Sequence, residues 1–157
     1  MMEVVLNEEF ILNCPDSFHI MDEAEKKALN VADEGQWIGL SDPDRHIIVT
    51  AGWKKAPVLA LKILSSRDLA GNMEKQISKA MSGLGYRKEG TAERDPGGVK
   101  ISGFCYEYEV QGTPMYAESS AMKTGKMIYN FHFYSRAALK EENIPVWEEM
   151  IGSLRKK

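Results

Sequence analysis

The chain has 157 residues, 43% hydrophobic and 27% charged, with a net charge of −3 and a pI near 5.7. A single domain of this length buries about 68–70% of its unfolded surface, so a core can form without metal or disulfide. The composition excludes disordered, collagen-like and coiled-coil chains. No apolar run approaches the ~18–20 residues of a membrane span, and the acidic balance argues against a dedicated nucleic-acid binder.

The opening MMEVVLNEEF has no Lys or Arg and no long apolar stretch, so no secretory signal is read there. A cytoplasmic setting is expected, or export if the domain is processed from a precursor. Residues 1–50 hold eleven Asp/Glu against three Lys/Arg, and the remainder twelve against seventeen. Either an acidic face awaits a basic partner or the acidic segment folds over the basic remainder; the second is the expectation.

Glu9–Cys14 reads as a strand stopped by Pro15–Asp16–Ser17. Asp22 is a helix N-cap, with Ala24, Ala28 and Val31 at helical spacing after it. Gln36–Leu40 and His46–Trp53 flank the turn Ser41–Arg45 as a β-hairpin, with Pro43 presetting the turn. Residues Lys54–Leu64 suit a strand or a helical turn equally. Within Ser66–Leu84, Leu69, Met73, Ile77, Ala80, Met81 and Leu84 recur every three or four residues, which predicts an amphipathic helix ended by Gly83 and Gly85.

The strongest pattern is Tyr86–Arg94, Val99–Val110, Met115–Lys123 and Lys126–Tyr134, joined by DPGG, QGTP and TG turns. These predict a four-strand antiparallel meander. Phe104, Tyr106, Tyr108 and Val110 share one face of the second run. In the last, Met127, Tyr129, Phe131 and Phe133 oppose Ile128, Asn130, His132 and Tyr134. A C-terminal helix entered through Pro145 carries Val146, Trp147, Met150, Ile151 and Leu154, and Arg155–Lys157 close it at the negative end of its dipole. The class is α+β: a three-layer α/β/α sandwich whose central, mainly antiparallel sheet has about six or seven strands with helices on both faces. No repeat or linker divides residues 1–157, so one domain is expected.

Chemistry-bearing candidates are few. Cys105 and His132 could form a thiol–imidazole pair for a hydrolase, although nothing beside Cys105 would lower its pKa. Cys14 and Cys105 read as reduced, buried thiols. His19, His46 and His132 are isolated, Asp42 and Asp44 lack the rest of a calcium loop, and no glycine-rich phosphate cradle opens a helix, so no metal or cofactor is expected. Trp53–Lys54–Lys55 is an aromatic beside two cations at a strand end, suited to anchoring an acidic protein partner, and Tyr116 and Glu118 could extend that patch. A small-ligand pocket lined by Met73, Met81, Tyr106 and Phe131 is the alternative.

The entry FILNCPDSFHIMDEAE, the hairpin WIGLSDPDRHIIVTAGW, the helix DLAGNMEKQISKAM and the meander ISGFCYEYEV…MYAESSAM…KMIYNFHFYS with its terminal helix resemble PsbP-like domains, the superfamily that includes the Ran-binding Mog proteins. The resemblance spans roughly residues 8–155 and is nearest to small uncharacterised bacterial members. It implies a sandwich with helices on both sheet faces and a non-enzymatic role in binding proteins. The Ran-binding and photosystem roles do not transfer, because no partner-contacting residue matches one by one.

Overall fold

The computed structural model describes residues 1–29 and 35–157. Strand β1 (Met2–Leu6) turns at Asn7 and Glu8, both at positive φ, into β2 (Phe10–Cys14). The two alternate inward and outward, burying Val4, Leu6, Phe10, Leu12 and Cys14. A short strand β3 (His19–Ile20) precedes helix α1 (Glu23–Leu29). Asp22 caps α1 as expected: its carboxylate accepts from the Glu25 N–H at 2.8 Å, and the Glu25 carboxylate accepts from the Asp22 N–H at 3.1 Å. Val31 lies outside the described residues.

Strands β4 (Gln36–Asp42) and β5 (Ile47–Lys55) form the expected hairpin. The ambiguous stretch after it is helix α2 (Val58–Ile63), followed by α3 (Ser66–Ala80). Ser65 and Asp68 cap α3 reciprocally. The meander follows as β6 (Arg87–Arg94), β7 (Ile101–Val110), β8 (Thr113–Lys123) and β9 (Met127–Arg136). Gln111 and Gly112 both take positive φ, the geometry a two-residue hairpin needs to match strand twist.

Helix α4 (Lys140–Gly152) begins five residues before Pro145, not at it. Its first turns are held because buried Asn143 donates to the Arg45 carbonyl at 3.0 Å and to Ser135 Oγ at 2.9 Å. The terminal basic run is no helix end either. Arg155–Lys156 is strand β10, paired with β2, and Arg155 meets Glu3 at 2.6 Å while Lys157 meets Glu8 at 3.2 Å. Acidic and basic ends of the sequence are therefore cross-paired in part.

Among the described residues the main sheet has seven antiparallel strands in the order β3-β4-β5-β9-β8-β7-β6, and β1-β2-β10 make a second, smaller sheet. Helix α3 lies on one face of the main sheet, where Met73, Ile77 and Met81 pack on Phe104, Tyr106 and Tyr108. Helix α4 and the small sheet cover the other, where Trp147, Met150, Leu12 and Phe10 join Tyr129, Phe131 and Phe133. The class is α+β with helices on both faces, as the sequence implies, and the small sheet is an addition to it. At Gly103 a Cβ would stand 2.6 Å from the Ser119 carbonyl oxygen, so β7 and β8 fit together only without a side chain there.

Candidate functional site

Strand register decides which candidate residues meet. Cys105 pairs with Glu118, and Glu118 with Phe133, so all three project toward α4. Phe104 pairs with Ser119, and Ser119 with His132, so these project toward α3. Cys105 and His132 consequently occupy opposite faces of the sheet, and the thiol–imidazole pair is not formed. Burial raises the Cys105 pKa; Tyr116 opposes that rise and Glu118 adds to it. Both cysteines are free, and burial together with Asp42 and Asp16 pushes the Cys14 thiol up to about 11. Both shifts favour the protonated thiol, the poorer nucleophile.

His132 has different partners from the one expected. Its Nδ1 is 2.7 Å from Ser119 Oγ, which is 2.9 Å from the Tyr106 hydroxyl, and its ring stacks on Tyr134. Ser119 and Tyr106 are both fully buried, so this is an interior hydrogen-bond chain and the serine oxygen faces no solvent. The same register removes the proposed small-ligand pocket. Met73, Met81 and Tyr106 pack together on the α3 face, whereas Phe131 sits in the core on the α4 face.

Tyr116 and Glu118 are 9% and 3% exposed, which corrects the expectation that they extend a surface patch. A buried carboxylate must be matched by donors. Arg94 grips Glu118 with both terminal nitrogens, one at 3.0 Å, and Trp147 Nε1 donates to it at 2.9 Å. The same guanidinium reaches Glu148 on α4 through Nε at 3.1 Å, and these contacts hold the Arg94 pKa high against the cost of its burial. Tyr116 packs edge-on against Phe133, which stacks on Trp147 at 5.5 Å. The cluster fastens α4 to the sheet.

Trp53 is half-buried, 6.3 Å from the Tyr129 ring, and its buried indole N–H has no acceptor among the described residues. It pairs with Tyr129, whereas Tyr116 pairs with Ser135, so the two lie ~20 Å apart along the strands. Lys54 and Lys55 alone of the five candidate residues are fully on the surface.

The end of the sheet where Lys54 and Lys55 emerge carries a feature that sequence reasoning missed. A cleft of about 700 Å³ opens there between the β8–β9 turn, the entry to β7 and the C-terminal strand. Five lysines line it, Lys100, Lys123, Lys126, Lys156 and Lys157, against two glutamates, Glu8 and Glu9. Glu8 is held by Lys157, and Glu9 by Asn7 and the Tyr129 hydroxyl. Lys123 is spent on the Leu61 carbonyl. Lys100, Lys126 and Lys156 are exposed and make no close ion pair or side-chain hydrogen bond among the described residues, although Lys100 attracts Glu93 at longer range. A chain of net charge −3 thus concentrates unneutralised positive charge at one place. The signal available in sequence was the basic balance after residue 50, but the five lysines come from three separate segments.

No protein-family model matches the sequence, and no curated protein matches it significantly. Solved structures do match. Cyanobacterial PsbP from Synechocystis sp. PCC 6803 superposes with a TM-score of 0.74 at 12% identity, covering 99% of this chain and 92% of that one. The fold is PsbP-like. LpqN of Mycobacterium tuberculosis, involved in cell envelope biogenesis, matches at a TM-score of 0.62 and 11% identity over 94% of this chain and 83% of that one. The type VI secretion immunity protein TplEi of Pseudomonas aeruginosa, solved in complex with a peptide, matches at 0.51 and 10% identity over 76% of this chain and 46% of that one.

On this PsbP-like frame the cleft offers ammonium groups, each a mobile point charge with three donors, and no arginine fork for bidentate recognition. Such a lining suits carboxylates presented at variable positions along a chain better than one rigid anion.

Proposed function

We propose that this chain is a non-enzymatic protein-binding module that receives an acidic segment of its partner in the lysine cleft, with Lys54 and Lys55 at the border. The observation that carries the reading is the set of three exposed lysines in one cleft of an otherwise acidic chain, none of them in a close ion pair among the described residues. Positive charge facing a negative segment accelerates encounter and fixes orientation. Recognition of a peptide by TplEi supports the reading at the level of the fold. Trp53 lies half-buried beside Tyr129, next to Lys54 and Lys55 in sequence.

The test is retention of an acidic polypeptide such as poly-glutamate, and of partners captured from the source cell, by wild type and by Lys100→Glu/Lys126→Glu/Lys156→Glu. Wild-type retention should weaken as salt screens the charges. The triple variant should lose it while melting at an unchanged temperature. Equal retention by both proteins would overturn the proposal.

A further inference from the structure

The lysine cleft does not stand alone at its end of the molecule. Helix α2 presents three large aliphatic side chains to water: Val58 is 55% exposed, Leu59 69% and Ile63 70%. At 100° per residue, Val58, Leu59, Lys62 and Ile63 fall within one arc of the helix, and Leu61 points the other way into the protein. A helix that turns its oily side outward on a folded surface marks a contact site, because scattered single exposures need no explanation but a shared face does. A second copy of the chain is a poor occupant, since Lys54, Lys55 and Lys62 around the patch would meet their own counterparts.

The patch and the cleft are neighbours. A notch of about 400 Å³ beside α2 is lined by Val58, Leu61, Lys62, Lys123, Thr124 and Gly125. The last three also line the lysine cleft, so the β8–β9 turn is the shared ridge. Two bonds lock that ridge to the α2 segment: Lys123 Nζ donates to the Leu61 carbonyl, and the Ala56 N–H donates to the Lys126 carbonyl at 3.1 Å. Apolar surface lies on one side of the ridge and an excess of lysine charge on the other, in a fixed order.

We infer that the occupant of this surface is a protein segment in which a block of large aliphatic residues adjoins a block of Asp/Glu, the first seated on α2 and the second in the lysine cleft. The inference rests on the protein-binding reading above and adds the chemistry and the order of the partner. Aliphatic burial contributes affinity and the carboxylates contribute direction and register.

The experiment measures anisotropy of three fluorescent peptides with the intact protein: a Leu/Ile block joined to a Glu block, the same peptide with Ser replacing Leu/Ile, and one that alternates the same residues. The block peptide should bind about tenfold tighter than the serine peptide. Leu59→Ser/Ile63→Ser should erase that tenfold gain and leave binding of the serine peptide unchanged; both sites are exposed, so the variant folds. Equal affinity for block and serine peptides overturns the inference while leaving the basic-cleft reading intact. Equal affinity for block and alternating peptides overturns the order. Failure of all three to bind overturns the inference and the reading together. Binding to vesicles of phosphatidylcholine with phosphatidylglycerol that Leu59→Ser/Ile63→Ser abolishes, with no gain for the block peptide, makes the surface a membrane dock and overturns the inference as well.

Discussion

Two charged regions of this protein sit on the same sheet and differ in one respect. Under α4, every charge is spoken for: Arg94 holds Glu118 and Glu148, and Trp147 completes the Glu118 shell. At the β8–β9 end, Lys100, Lys126 and Lys156 lie in a cleft without a close ion pair among the described residues, Lys100 having only a longer-range attraction to Glu93. Committed charge fastens one element to another, and uncommitted charge is left for a partner. The contrast predicts that mutations in the first region act on stability and mutations in the second act on binding.

The largest effect should come from Glu118→Ala, which leaves the mostly buried Arg94 guanidinium with only the half-exposed Glu148 and the Trp147 indole N–H without its acceptor. Denaturant unfolding should show a loss of about 3–5 kcal/mol, and a loss below about 1 kcal/mol would mean the cluster is not a fastening. Gly103→Ala comes next: its new Cβ meets β8 backbone, and a loss of about 1–3 kcal/mol is expected from the strain. Asp42→Asn should cost about 1–2 kcal/mol, and its cost should depend on pH. Burial by itself would raise the Asp42 pKa, but hydrogen bonds from Arg45 and Ser17 outweigh it and hold the carboxyl below its ordinary value of 3.8. A depressed carboxyl stabilises the fold above its unfolded pKa and loses that contribution as pH falls through the folded value. The gap between wild type and Asp42→Asn should therefore be full near neutrality and close below pH 3.8. Smallest of all, Lys100→Gln, Lys126→Gln and Lys156→Gln should each move stability by no more than about 0.5 kcal/mol. A larger loss from any of them would show that lysine to be structural and blur the division between the regions.

The fold was legible where local signals agree. The meander shows in its period-two pattern and glycine-containing turns, and Asp22 announces the start of α1. What escaped lacked such a signal. Strand β10 is two basic residues, held by backbone pairing to β2 and, with Lys157 beside it, by two ion pairs that span almost the whole sequence. The start of α4 depends on Asn143 finding Arg45 and Ser135, which no local pattern encodes. Site residues failed for a related reason. Alternation along β8 says that Glu118 and Ser119 face opposite ways but not which way is inward, and that is settled by Arg94 and Trp147, 24 and 29 residues distant. Lys54 and Lys55 were readable as surface because charged side chains at a strand end almost always reach water.

Strand β10 also has a practical consequence. Because it lies against β2, Lys157 just after it forms part of the cleft wall, whereas Met1 is tied to Asp16 at the far end of β1, about 17 Å away along the strand. A tag placed after Lys157 starts at the cleft wall, and an acidic linker there would compete for the lysines. Capture experiments belong on protein immobilised through its amino terminus.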